Sequence, residues 1–246
     1  MHEHELWVTA LFNRYLGGVA NAVLGLFGVH AHDPAHPWTN FMTMQIVVAL
    51  IVVVVFAILR SCLSMDRPGK MQHVFEVLHQ FLEGQADEAV GHHGRHYVAF
   101  FGTLFFFILF SNLIGVIPTF ESPTMFPSVP AGCALAAFLY YNYVGMKANG
   151  IGKYLAHFAG PMPLLAPLMI PIEIISHAAR PLSLTIRLYA NMYAGEQVTL
   201  AFLGLTYLFI PAIFMGLHVF VAFLQAYVFT LLTMIYVGSA VAHDDH

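Results

Sequence analysis

The sequence carries little charge. Only 9% of its 246 residues are Asp, Glu, Lys or Arg, whereas 59% are hydrophobic and 14% are aromatic. A soluble protein has about 25% charged residues, so this composition excludes an ordinary soluble domain and indicates a polytopic membrane protein. The formal net charge of −4 gives no indication of nucleic-acid binding. We expect an all-α protein whose core is helix packed on helix, surrounded by lipid.

Cysteine is also scarce. The two cysteines, Cys62 and Cys133, exclude a disulfide framework, and both fall in or beside predicted membrane helices, where cysteine behaves as a small buried hydrophobe. No basic region precedes the first apolar run, so a cleavable signal peptide is not expected. Histidine, by contrast, is abundant, with 15 His against 9 Lys and Arg. Because histidine titrates near neutrality, it can carry protons.

Residues 1–37 are expected to form an external or interfacial N-terminal segment. Its apolar stretch 6–29 is interrupted by Asn13, Arg14 and Asn21, so it could span the membrane, lie flat at the interface or pack on later helices. We favour the last two options over spanning. A histidine-rich run follows, but its spacing matches no defined metal site, and we expect no metal there; its members are His30, His32, Asp33 and His36.

Residues 38–246 are expected to form one membrane domain. Five apolar stretches predict about five membrane helices, at residues 41–59, 97–117, 131–146, 164–203 and 207–242. Residues 72–90 predict a further, amphipathic helix at the membrane interface, because Phe75, Leu78 and Leu82 share one face. The proline-rich run 118–130 predicts a loop.

The last two stretches are too long to stand upright in a bilayer. Forty and 36 helical residues would reach roughly 60 and 54 Å, about twice the hydrocarbon thickness. Pro167, Pro171 and Pro181 permit bending in the first of them. We therefore predict a long, steeply tilted antiparallel hairpin that turns within residues 204–211.

The basic residues predict the orientation. They occur in loops that alternate to the same side of the membrane, which is the cytoplasm by the positive-inside rule; they are Arg60, Arg67, Lys70, Arg95, Lys147 and Lys153. Five crossings then place the N-terminus outside and the C-terminus in the cytoplasm. We expect a multi-pass protein of the cell (inner) membrane.

The stretch 172–198 holds the most informative residues. A permanent charge deep in a membrane is expensive and marks an ion path, a counter-ion or a voltage sensor. Arg187 is near the middle of its predicted helix and cannot be deprotonated, so it suits a fixed gate better than a proton relay. On a helix, seven polar or small residues fall within roughly 40° of one line: Glu173, Ser176, Arg180, Ser183, Arg187, Asn191 and Ala194.

Titratable residues flank this cation on both sides. Glu196 and His218 are near the hairpin turn, and a polar stripe of His218, Gln225 and Tyr236 follows on the last helix, within about 20° of one line. Glu173 and His177 form an i,i+4 pair toward the cytoplasmic end. This layout predicts two offset half-channels separated by a fixed positive charge.

Structural roles are the alternatives for these residues. Glu173 or Glu196 could neutralise Arg187, although neither is its helical neighbour. Asn191 and Gln225 could serve as interhelical hydrogen-bonding glue. Arg180 could extend its charge to the interface.

Three sequence motifs resemble one family. Residues 180–196, R-P-L-S-L-T-I-R-L-Y-A-N-M-Y-A-G-E, are closely similar to the signature of subunit a of F-type ATP synthases. F-L-Q-A-Y-V-F-T-L-L-T-M-I-Y at 223–236 resembles the family's last helix, and F-S-N-L-I-G-V-I-P-T-F-E-S-P-T at 110–124 resembles its second-span motif. The likeness covers residues 40–242.

The resemblance implies a proton channel beside a rotating ring of c subunits, each with a mid-membrane carboxylate. Arg187 matches the family's essential arginine, and Asn191 its asparagine. The other matched positions are Glu196, His218, Gln225 and Asn112 in the outer access channel, with Glu173 and His177 expected at the cytoplasmic exit. The implied partners are the c-ring proteolipids, the peripheral-stalk b subunits, the remaining ATP synthase subunits and membrane lipids. No nucleic acid, cofactor or metal is implied, and the chain itself is expected to be non-catalytic.

Two departures from the family pattern stand out. Ala190 replaces the usual glycine, and Gly115 stands where some members have an aspartate, a role that Glu121 could take. Two other functions are the alternatives: a haem- or quinone-binding redox subunit using His177 and His218, and a self-contained ion transporter. The chain lacks paired histidines at repeating helical spacing, and neither function explains a fixed cation without a partner.

Overall fold

The computed structural model describes residues 5–26, 36–64, 69–91, 94–117, 120–150, 152, 154, 166–205 and 209–241. These residues form seven α-helices and contain no strand, which confirms the predicted all-α class. The helices are α1 (Trp7–Leu26), α2 (Asn40–Cys62), α3 (Lys70–Val90), α4 (Val98–Ile114), α5 (Ser128–Asn149), α6 (Ala166–Leu205) and α7 (Phe209–Val241). Two short 3₁₀ turns, Gly94–Tyr97 and Pro123–Met125, precede α4 and α5.

Within the described residues, three helical stretches are long and apolar enough to cross a membrane by themselves: Asn40–Cys62, Gly94–Ile114 and Ala212–Val241. These correspond to α2, α4 and α7, so the chain is a multi-pass membrane protein. The other two expected crossings, α5 and α6, form helices but are less apolar. In α6 the reason is that Glu173, Arg180, Arg187 and Glu196 interrupt the apolar sequence.

The last two helices form an antiparallel pair, as predicted. Positions along α6 rise as their partners along α7 fall. Helix α6 ends at Leu205 and α7 begins at Phe209, both within the range predicted for the turn. The contacting pairs are Asn191 with Gln225, Gly195 with His218 and Phe202 with Phe214. Pro171 and Pro181 are inside α6, which continues through both. The steep tilt in the membrane stays a prediction.

The amphipathic helix α3 packs its apolar face onto the other helices. Leu82 and Ala86 are buried in the main core, and the Tyr227 hydroxyl of α7 donates a hydrogen bond to Gln85 Oε1 at 2.9 Å. Gly238 lets α7 approach the backbone of α3 so closely that a Cβ would clash with the Ala89 carbonyl. Position at the membrane interface stays a prediction, but this helix is also part of the bundle.

Helix α1 packs on the start of α2. The Leu6 backbone N–H donates to Asn40 Oδ1 at 3.2 Å, and the Asn13 amide bonds to the backbone of Trp38. The histidine-rich run 30–33 lies outside the described residues, while His36 Nδ1 lies 3.3 Å from Glu5 Oε1. The assignment of residues 1–37 to a separate segment stays a prediction.

The predicted span 131–146 can be extended to the apolar Val129, and α5 begins one residue earlier still, at Ser128. Pro130 is within its first turn, where the N–H that proline lacks has no helical partner in any case. A proline-rich run can therefore pass directly into a helix.

Candidate functional site

A cavity of about 730 Å³ lies between α6 and α7. Four of its lining side chains are polar, and the rest are apolar or small. All four were candidates from the sequence: Arg187, Asn191, His218 and Gln225. The antiparallel pairing of the two helices therefore brings the fixed cation into one space with two of the three stripe residues, His218 and Gln225.

Arg187 is partly buried. It has no hydrogen bond or ion pair within the described part of the chain. The two carboxylates that could neutralise it are far along the same helix. At 1.5 Å per residue, Glu173 is about 21 Å away and Glu196 about 14 Å away. Because an unpaired charge in a low-dielectric medium is costly, this guanidinium requires water or a carboxylate from outside the described residues.

Asn191 and Gln225 join the two helices across the cavity. Asn191 Nδ2 donates to Gln225 Oε1 at 2.9 Å, so interhelical bonding is one of their roles. The bond leaves the buried Gln225 Nε2 without a partner within the described residues. Since an unsatisfied buried polar group costs about 1–3 kcal/mol, this amide is disposed to bind water or an incoming polar group.

His218 fits against α6 because residue 195 is glycine. A Cβ there would lie 3.3 Å from His218 Nδ1, tighter than ordinary contact. The other ring nitrogen, Nε2, is buried and has no partner within the described part of the chain. The next residue, Glu196, is half-buried but does not line the cavity. The structure therefore places His218 in the cavity and Glu196 beside it.

Asn112 is not in the cavity. It is fully buried, its Oδ1 accepts a 2.6 Å bond from Thr124 Oγ1, and its Nδ2 donates at 3.4 Å to the Ala222 carbonyl of α7. Ser122 extends the network by donating to the Ser111 carbonyl at 2.8 Å. Asn112 thus ties α4, the Pro123–Met125 turn and α7 together, and its place on a proton path stays a prediction.

Glu121 is brought toward Glu196 by the fold. The two half-buried side chains are close enough for their carboxyl groups to repel each other electrostatically, although 75 residues separate them in sequence. The structure also accounts for Gly115. A Cβ there would lie 2.8 Å from Ser122 Cβ, too close for an aspartate unless Ser122 moves. That Glu121 takes the role of the absent aspartate stays a prediction.

A second polar cluster lies toward the other end of the hairpin. His177 Nδ1 is 3.3 Å from Glu173 Oε1. The Arg180 guanidinium carbon is 5.1 Å from the ring centroid of Tyr236 and 5.8 Å from that of Tyr141. Tyr141 carries no sequence signal that distinguishes it from other buried tyrosines. Tyr236, predicted on the stripe with His218, is about 27 Å farther along α7, so the stripe links two separate sites.

The sequence of this chain matches a known protein family. The family model described as ATP synthase A chain matches residues 41–238. The chain belongs to this family. It is 69% identical over 234 residues to ATP synthase subunit a of Solibacter usitatus (strain Ellin6076), covering 95% of this chain and 100% of that relative. It is 47% identical over 240 residues to ATP synthase subunit a of Koribacter versatilis (strain Ellin345), covering 98% of each. In this member of the ATP synthase A chain family, the matched region contains the cavity, the Asn112 network and the second cluster.

Proposed function

We propose that this chain is the proton-conducting, non-catalytic subunit of an F-type ATP synthase. Membership of the ATP synthase A chain family supports a role in the proton channel of that complex. The observation that carries the proposal is Arg187, which lines a cavity of about 730 Å³ without any ion pair or hydrogen bond in the described part of the chain. Its counter-ion is a carboxylate on each c subunit of a rotating ring.

An exposed stripe on α6, next to Arg187, supports contact with that ring. Leu182 is 60% exposed and Ile186 is 54% exposed, and Ala190 and Ala194 continue the same face. Small residues let membrane helices approach closely. The family usually has glycine at position 190. Because Ala190 is exposed, its methyl group points away from the described helices and narrows the gap between α6 and the ring.

The path has two half-channels that do not meet. Protons enter from outside past Glu196, His218 and Gln225, with Asn112 in the channel wall, and bind a ring carboxylate. The neutral carboxyl group then rotates through lipid and releases its proton to the cytoplasm near Glu173 and His177. The emptied carboxylate is attracted to Arg187, whose fixed charge prevents direct leakage between the two half-channels.

The orientation and the partners follow from the same proposal. The N-terminus is outside, and the C-terminus is in the cytoplasm. The chain contacts the c-ring and the peripheral-stalk b subunits, and it acts only with the other subunits of the synthase. A haem held by His177 and His218 is disfavoured, because His218 faces Gly195, about 27 Å along α6 from His177. A self-contained transporter is disfavoured because Arg187 has no ion pair among the residues that the structure describes.

Cysteine cross-linking tests the ring contact. In a Cys62→Ser, Cys133→Ala background, Ile186→Cys or Ala190→Cys should cross-link to a cysteine near the ring carboxylate in membranes. Val53→Cys is the matched control, because it is equally exposed, at 64%, but lies on α2. Cross-linking of Val53→Cys in place of the two α6 positions would reject this interface.

Labelling with membrane-impermeant thiol reagents tests the two half-channels. Val221→Cys, which lines the cavity, should react only from outside, and Ser176→Cys only from the cytoplasm. Reaction of both positions from the same side would mean that the two polar clusters belong to one continuous pore, and the offset arrangement would be wrong.

A further inference from the structure

A second cavity, remote from the proton path, lies between the end of α2, α3 and the start of α4. Its volume is about 590 Å³, within the range of roughly 300–1,000 Å³ typical of small-molecule sites. Three mutually packed rings form its apolar part: Phe56, Phe75 and Phe106, with ring centroids 5.2–5.6 Å apart. Val98, Gly102 and Thr103 of α4 continue the lining.

The rim of this cavity is charged, with an acidic excess. Glu76, His79 and Glu83 of α3 line it beside Arg95, and His79 Nδ1 lies 3.8 Å from Glu83 Oε2. Arg95 Nε lies 2.9 Å from Glu83 Oε1 and 3.3 Å from Asp87 Oδ2. These contacts fix the guanidinium through one nitrogen and leave its two terminal nitrogens without a partner within the described residues, on a side chain that is 71% exposed. Glu76 is exposed and has its Oε1 bonded to Gln72 at 2.7 Å.

We propose that this cavity binds a zwitterionic phospholipid with an ethanolamine headgroup. The terminal nitrogens of Arg95 match the geometry of a phosphate, Glu76 and Glu83 can each accept a hydrogen bond from a primary ammonium, and the recess lined by phenyl rings takes the start of an acyl chain. The acidic excess disfavours an anionic lipid. A choline headgroup has no N–H donor, and the aromatic rings that could form a cage for it are in the recess and not at the rim.

A transmembrane helix of a partner subunit fits this rim less well. Its apolar side chains would lie against Glu76 and Glu83 and remove water from the carboxylate oxygens without offering them a hydrogen-bond donor, which is unfavourable in a low-dielectric setting. A headgroup with both signs of charge satisfies both the carboxylates and Arg95. The charge pattern of the rim therefore decides between the two occupants.

The test uses the complete purified synthase, reconstituted into phosphatidylcholine vesicles with a trace of photoactivatable phosphatidylethanolamine. We expect labelled peptides from α2, α3 and α4 around the cavity. Unlabelled phosphatidylethanolamine should compete about tenfold better than phosphatidylcholine or phosphatidylglycerol, the factor that 1.4 kcal/mol corresponds to. Equal competition by all three lipids would overturn the proposed headgroup selectivity.

Two variants and one control sharpen the result. Gly102→Leu should abolish labelling, because its Cβ fits at 4.0 Å from Leu82 Cδ1 and the rest of the side chain fills the recess. Glu76→Gln still accepts the Gln72 bond but loses its charge, so the preference for ethanolamine over choline should fall toward one. Leu50→Phe, on an exposed part of α2 outside the cavity, should change nothing. Unchanged labelling in Gly102→Leu, or cross-linking of Thr103→Cys to a partner subunit's helix, would show that no lipid occupies the cavity.

Discussion

Two arginines on the same face of α6 should respond in opposite ways to the same substitution. Arg187→Gln removes a charge that makes no hydrogen bond or ion pair within the described residues, so it should lower the unfolding free energy by no more than about 0.5 kcal/mol. Breaking a buried ion pair would instead cost about 3–5 kcal/mol. Arg180→Gln removes a cation held between Tyr141 and Tyr236. At about 0.5–2 kcal/mol per ring, this should cost roughly 1–4 kcal/mol.

The effects on ATP synthesis should have the opposite order, with the larger loss in Arg187→Gln. A ring carboxylate about 4 Å from Arg187 gains about 4 kcal/mol at an effective dielectric constant of 20, which is close to a thousandfold in equilibrium. Arg187→Gln should therefore abolish ATP synthesis driven by an acid–base jump in inverted vesicles. Arg180→Gln should retain synthesis in proportion to the amount of assembled complex.

The assays are ATP synthesis, thermal denaturation of the purified complex and immunoblots of assembled subunits, all on the same preparations. Synthesis at the wild-type rate by assembled Arg187→Gln complexes would refute the gating role. Failure of Arg187→Gln to assemble, with Arg180→Gln assembling normally, would show instead that Arg187 has a structural partner.

Substitutions at Glu196, Gly115 and Asn112 should each have a different effect. Glu196→Gln should slow proton uptake, because it removes a titratable group beside the cavity that Arg187 and His218 line; wild-type proton-driven rates at every pH tested would exclude Glu196 from the path. Gly115→Asp should lower complex stability by about 1–3 kcal/mol, because its Cβ would lie 2.8 Å from Ser122 Cβ. Thermal denaturation should show the loss, and Gly132→Asp, with no atom within 4 Å of the new Cβ, should not show it. Asn112→Leu removes the acceptor of the bond from Thr124 and the donor to the Ala222 carbonyl, and it should destabilise the complex by about 1–3 kcal/mol; reduced proton conduction at unchanged melting temperature would instead favour a channel role.

Features that depend on composition and helical period could be predicted from the sequence. Low charge and apolar runs of membrane length predict a polytopic helical protein, since lipid can satisfy no backbone group. The polar line through Arg187 depends only on the 3.6-residue period, so Arg187 and Asn191 were expected on one face. The antiparallel pairing of α6 and α7 follows from a short connection between two long helices. All of these are local or pairwise properties of consecutive sequence.

Features that join distant parts of the chain could not be predicted in this way. Asn112 carries a sequence signal as a polar residue in a predicted span, but its bonds to Thr124 and to the Ala222 carbonyl depend on how α4 is rotated against α7. The approach of Glu121 to Glu196 and the position of Tyr141 beside Arg180 likewise depend on contacts between helices far apart in sequence.

The amino-acid sequence by itself determined that this chain lies in a membrane, that it is helical, and that a permanent cation occupies the middle of a long helix. Hydrophobicity and helical period act within a few turns, so these properties can be read without knowing any neighbour. The tertiary structure decided which polar groups share a cavity with Arg187 and which are fixed in a buried network. It also left Arg187 without a hydrogen bond or ion pair among the described residues. Those outcomes depend on the rotation and spacing of packed helices, which side-chain shapes from the whole bundle set together.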